Sequence, residues 1–235
     1  ADEDDGGLGA SFKAADINWI LSTGQSLSVG AVGTLVLSTT QPDQNLMFNT
    51  GVIAGGTNLT SFVPLVEANV ETMSAGLANH VSGDAKTSFG LAHVVLVSAH
   101  GVGGFAYAQL KKGQAPYANG LAQAKAGFEL AKGAGKSIVV RAVTNVHGET
   151  DHLQENDKYQ DNPTEWQANY EADVKAITGQ TEPIPMLHTQ MHSWTRLQVG
   201  GQFSDTSRIP LDQLAVHIAS GGKTVLVGPK YHLPY

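Results

Sequence analysis

The chain has 235 residues, 41% of them hydrophobic and 15% charged, with 27 glycines, no cysteine and a formal net charge of −7. Length and apolar share suit one large α/β domain, and the acidic balance argues against nucleic acid as the main partner. The lack of cysteine excludes disulfides, thiolate metal sites and cysteine nucleophiles, and no apolar run approaches the roughly 20 residues of a membrane span.

The first residues, Ala1-Asp2-Glu3-Asp4-Asp5-Gly6-Gly7, read as part of a flexible acidic tail over 1–15, ahead of a domain over 16–235. The tail suits either a mature terminus or a linker from another module of a longer parent chain. A predicted strand over 17–21 then runs into Gly24-Gln25-Ser26-Leu27-Ser28. A buried strand that breaks at a glycine can present one serine hydroxyl at the carboxyl edge of a sheet, where open α/β sheets place their chemistry. The plainer alternative is a polar turn in which Ser26 or Ser28 caps a helix. The G-x-S-x-G elbow is absent, because Ser28 stands where its second glycine would be.

Residues 28–62 are rich in Gly, Thr, Ser and Asn without a clear period, and read as a long loop over the sheet edge. Val66, Val70, Met73, Leu77 and Val81 follow helical spacing and predict a helix ending near Gly83. A strand over 92–98 leads into His100-Gly101-Val102-Gly103-Gly104-Phe105, whose glycines let backbone N–H groups approach an oxyanion or a phosphate. Its loose dinucleotide fingerprint lacks the acidic residue that should end the next strand.

Leu121, Ala124, Phe128 and Ala131 predict a second helix, with Gly133 and Gly135 as its stop. A strand over 137–143 follows, then Asn145-Val146-His147-Gly148-Glu149-Thr150-Asp151-His152. A third helical stripe, Trp166, Tyr170, Val174 and Ile177, precedes strands over 184–188 and 224–227. The near-continuous Val, Ile and Leu of these strands, alternating with helices, predict a three-layer, doubly wound parallel sheet.

His147, Glu149 and His152, with His188 and His192, can be drawn as a metal-dependent hydrolase site, although no established ligand spacing is matched and no metal is expected. Neither Gly135-Lys136-Ser137 nor Gly222-Lys223-Thr224 completes a phosphate-binding loop.

Three blocks now fall in one order, each at the end of a predicted strand: Gly24-Gln25-Ser26, Gly103-Gly104, and His147-Gly148-Glu149-Thr150-Asp151. The set resembles the SGNH hydrolase superfamily, and within it the carbohydrate acetylesterases related to sialate O-acetylesterase. Those carry G-Q-S, G-G and Q-G-E-S-D blocks on a flavodoxin-like sheet. The likeness extends to Thr189-Gln190-Met191 and Gly228-Pro229-Lys230-Tyr231.

The resemblance implies a serine esterase, without a cofactor, that removes acetyl groups from a saccharide or another small ester. Ser26 would be the nucleophile. The Ser26 and Gly104 amides, with Gly103 beside them, would form the oxyanion hole. His147 stands in place of the family's glutamine as the remaining donor, and Gln25 and Glu149 would support the loop. The family's late D-x-x-H block is missing up to Tyr235, so the resemblance implies that its base lies beyond that residue; His232 and His192 are the alternative bases. A secreted or periplasmic location is expected. The rival from another class is a carbohydrate-binding domain on a degenerate esterase scaffold, with Asn58, Phe105, Tyr107, Asp151 and Trp194 supplying sugar contacts.

Overall fold

The structure, a computed structural model, describes residues 15–191, 197–199, 202–204 and 207–230. The strands are β1 (Ile17–Gly24), β2 (Leu46–Phe48), β3 (Phe62–Pro64), β4 (Val95–Ala99), β5 (Ile138–Val146), β6 (Met186–Gln190), β7 (Leu197–Val199), β8 (Gln202–Ser204) and β9 (Thr224–Pro229). The α-helices are α1 (Met73–Phe89), α2 (Tyr107–Leu110), α3 (Ala115–Gly133), α4 (Glu149–Leu153), α5 (Asn162–Thr178) and α6 (Ile209–Ala219). Single 3-10 turns form at Ser26–Val29 and Tyr159–Asp161.

Seven strands make one sheet in the order β3-β2-β4-β1-β5-β6-β9, in which only the β2–β3 pair is antiparallel. Every residue of β1 is buried, as expected for a central strand covered on both faces. On one face Ile17, Trp19 and Leu21 pack with Tyr117 and Ala124 of α3 and with Trp166, Tyr170 and Val174 of α5. On the other, Ile20, Val95 and Val97 pack with Ala75 and Ala78 of α1. This is the expected α/β layering.

The chain leaves β1 toward β4 and returns across it to β5, so the strand order reverses at β1. At such a switch point the carboxyl ends of neighbouring strands open a crevice. The Ser26, Gly103 and His147 blocks all follow strands that end there.

The boundaries depart from the sequence expectation in three places. Helix α1 starts at Met73, because Thr72 caps it by accepting the Ser74 amide at 3.3 Å. Val66 and Val70 therefore precede the helix, which continues through Gly83 to Phe89, with Gly90 at φ 66° as its left-handed cap. The expected loop over 28–62 contains β2, whose three residues are too few to display a period. Helix α6 had no counterpart in the sequence reading; its Pro210 lies in the first turn, where a missing N–H costs nothing.

Candidate active site

The turn after β1 is built by close backbone approaches. Gly24 has φ 123°, and a Cβ there would run into the Val146 carbonyl at the end of β5. The Gln25 amide donates to that carbonyl at 2.9 Å. From the other side, the His100 amide donates to Ser22 O at 2.9 Å and the Val102 amide to Gly24 O at 3.0 Å. Gly101 is pressed against Ser28 Oγ and the Gly24 carbonyl, leaving no room for a side chain.

Neither serine caps a helix. Ser28 is buried and its hydroxyl donates to Gln25 O at 2.6 Å, which tightens the turn. Ser26 is half-buried, and its hydroxyl has no hydrogen-bond partner among the described residues. Gly103 lies alongside: a Cβ at that glycine would be 3.8 Å from both Cα and Cβ of Ser26. Gly103 and Gly104 are exposed, and Gly104 has φ 77°. The N–H groups of Ser26, Gly103 and Gly104 donate to no described acceptor.

The third block is tied to the first through Gln25. This side chain is 4% exposed, and its Oε1 accepts the Thr150 amide at 3.2 Å and the Gly148 amide at 3.5 Å. Gly148, at φ 135°, sits under the Ile209 side chain, 2.8 Å from where its Cβ would be.

His147 differs from the expected oxyanion donor. Its side chain has no exposed surface. Nδ1 lies 3.1 Å from the Tyr159 hydroxyl and Nε2 lies 3.2 Å from Asp151 Oδ2. The ring stacks on Tyr159 at 8° and meets Trp166 edge-on at 84°. Burial pulls its pKa down, against the opposing pull of Asp151 and Glu149, and its nitrogens face protein groups. In this arrangement both ring nitrogens are enclosed, beside the Tyr159 hydroxyl and the Asp151 carboxylate.

Glu149 is 5% exposed and its Oε1 meets Lys230 Nζ at 3.3 Å. Lys230 lies in the Gly228-Pro229-Lys230-Tyr231 segment of the resemblance, but nothing in the sequence pairs it with Glu149. The trio of the alternative metal reading is divided, with Glu149 engaged by Lys230 and His147 by Asp151 and Tyr159; His152 is buried. No group of three His, Asp or Glu side chains among the described residues is arranged to hold a metal ion. His188, in the middle of β6, is also buried, which holds its pKa near 4. His192 and His232, the alternative bases, lie outside the described residues.

The sugar-contact set is dispersed as well. Tyr107 is buried and packs edge-on against Trp166 at 5.2 Å, and Asp151 is 2% exposed with Oδ2 accepting the Tyr107 amide at 2.8 Å. Asn58 is exposed, Phe105 is half-buried, and Trp194 lies outside the described residues.

No family model matches the sequence, and no curated protein matches it. Among solved structures, the fold is similar to that of a protein from Arabidopsis thaliana, with a TM-score of 0.64 and 16% identity over 94% of this chain and 88% of that one. It is also similar to a carbohydrate acetylesterase from Xanthomonas citri, with a TM-score of 0.50 and 15% identity over 90% of this chain. The chain spans 48% of that enzyme's length. At these identities the likeness is one of fold alone, a mostly parallel sheet with helices around it.

Proposed function

We propose that the protein is a serine esterase that removes an acetyl group from a saccharide or another small ester through an acyl-enzyme. One observation carries this reading: the Ser26 hydroxyl is half-buried and unbonded, a Cβ at Gly103 would lie 3.8 Å from Ser26, and the N–H groups of Ser26, Gly103 and Gly104 have no described acceptor. Acyl transfer needs unpaired donors, because negative charge develops on the carbonyl oxygen as the serine attacks.

Ser26 Oγ attacks the acetyl carbonyl while its proton passes to a histidine. The Ser26 and Gly104 amides, with Gly103 beside them, receive the oxyanion. The tetrahedral intermediate collapses, the alcohol leaves with a proton, and the acetyl group stays on Oγ. Water then attacks the acyl carbonyl by the same route and releases acetate. Gln25, His147 and Glu149 hold the turn and the loop in register. His192 and His232 are the candidate bases, since no described histidine hydrogen-bonds Ser26.

The test is labelling with a serine-directed fluorophosphonate, followed by mapping of the modified residue and assay of acetate release. Labelling at Ser26 and loss of turnover in Ser26→Ala support the reading. Full activity in Ser26→Ala rejects it, and saccharide binding without labelling points to a non-catalytic binding domain.

A further inference from the structure

Between the end of β2 and the approach to α1 lies a cavity of about 370 Å³, within the size range of small-molecule sites. Residues 47–53 line one side and residues 66–70 the other, with Met47, Val52, Ile53, Val66 and Val70 as its apolar walls. None of Ser26, Gly103 and His147 lines it, so it is separate from the candidate active site.

Glu67 is set into this cavity. The residue is only 8% exposed, and the proposed mechanism makes no use of it. Its amide donates to Ser38 O at 2.8 Å, which pins the backbone. Its side chain is held on one oxygen: Oε1 accepts the Thr72 amide at 3.1 Å and the Thr72 hydroxyl at 2.6 Å. Thr72 is buried in turn, at the head of α1. The other oxygen, Oε2, has no hydrogen-bond partner among the described residues, yet it is not among the polar atoms sealed off without one. In a nearly buried residue that lines a cavity, such an oxygen opens into the cavity.

The charge on this oxygen has no counterpart. Among the described residues, no Lys, Arg or His lines the cavity or forms an ion pair with Glu67. Desolvation, with a smaller push from Glu71, raises the Glu67 pKa above the usual range, against the two Thr72 bonds. Buried charges in folded proteins are normally paired. A carboxylate oxygen only accepts hydrogen bonds, so the group that completes it must be a donor carrying positive charge. The apolar walls favour a body that covers them, in proportion to the area removed from water.

We propose that this cavity binds a small organic ammonium ion, with its N–H groups on Glu67 Oε2 and its apolar body against Met47, Val52, Ile53, Val66 and Val70. The site does not rest on the esterase reading.

The experiment titrates the protein with benzylammonium and, separately, with benzyl alcohol, a neutral molecule of the same length, and follows the backbone amides by NMR. The ammonium ion should bind at least about tenfold tighter, the margin of one hydrogen bond to a charged group. It should shift the amides of residues 50–53 and 66–70. Glu67→Gln keeps an oxygen for Thr72, and in that variant the two probes should bind alike. Ile53→Lys, at a position 46% exposed, brings in a competing ammonium and should weaken benzylammonium by a similar factor without loss of stability. Equal affinities of the two probes for the wild type overturn the proposal. Tighter binding of the alcohol overturns it too, since Glu67 would then act as a neutral donor. Shifts confined to other parts of the chain, or no saturable binding of benzylammonium, overturn it as well.

Discussion

Gln25 and Thr150 are 125 residues apart, yet the side-chain oxygen of one accepts the backbone amide of the other at 3.2 Å. The residue just before the proposed nucleophile thereby carries the N-terminal turn of α4. An amide oxygen is the right acceptor there, since the first N–H groups of a helix have no partner inside it.

Gln25→Ala should therefore weaken two things together. Removing a buried acceptor leaves the Thr150 amide unpaired, a loss of about 1–3 kcal/mol in stability. Urea denaturation measures that loss, and the rate of fluorophosphonate labelling at Ser26 should fall in the same variant. Stability and labelling both at the wild-type level would show that the turn and the loop are independent.

A second prediction concerns Glu149 and Lys230, whose side chains are only 7% and 16% exposed. Taking one partner from a buried pair strands the other charge, at about 3–5 kcal/mol, whereas replacing both can be nearly neutral. Lys230→Met and Glu149→Gln should each be strongly destabilising, and the double variant should recover most of the loss. A double-mutant cycle by denaturation reads this coupling. Single-variant losses below about 1 kcal/mol would place the pair with weak surface contacts.

The framework was legible where local chemistry repeats. The five strands β1, β4, β5, β6 and β9 announce themselves as near-continuous apolar runs because a parallel sheet buries both faces. By contrast, Val66 and Val70 continue a helical spacing outside the helix, and only the Thr72 cap reveals the true start. In the candidate site, Ser26, Gly103 and His147 stand out in the sequence because each follows a strand and lies within two residues of a glycine. The enclosure of His147 does not, since it depends on Tyr159, Trp166 and Asp151 arriving from separate elements. Lys230 and Glu149 are 81 residues apart, and nothing near either one signals the other.

The third prediction separates two glycines of one loop. At Gly101 a Cβ would overlap Ser28 Oγ and the Gly24 carbonyl, so Gly101→Ala must displace the turn that carries Ser26. At Gly103 a Cβ would rest 3.8 Å from Ser26, an ordinary contact. Gly103→Ala should fold like the wild type, while Gly101→Ala should lose stability by about 1–3 kcal/mol and label poorly at Ser26. Thermal unfolding and probe labelling on both variants check this, and equal behaviour of the two would refute the packing argument.

The last prediction is a stability profile in acid. His100 is buried with Nε2 at 2.7 Å from the Tyr170 hydroxyl, and His188 is buried in the middle of β6. Desolvation holds both pKa values at about 4, against small opposing contributions from Gln123 and from the Gln213 backbone. In the unfolded chain each returns to about 6.5. Between those values the unfolded state binds protons that the folded state refuses, so the stability is complete above pH 6.5 and is lost as the pH falls toward 4. A depression of this size corresponds to about 3 kcal/mol per histidine over that window. Denaturation midpoints from pH 7 to 4 should fall accordingly, and His188→Gln, which cannot titrate, should flatten the decline by about half of the two-histidine share. A slope identical to that of the wild type would mean that His188 takes up its proton in the folded protein as readily as in the unfolded chain, and with it that the middle of β6 admits water.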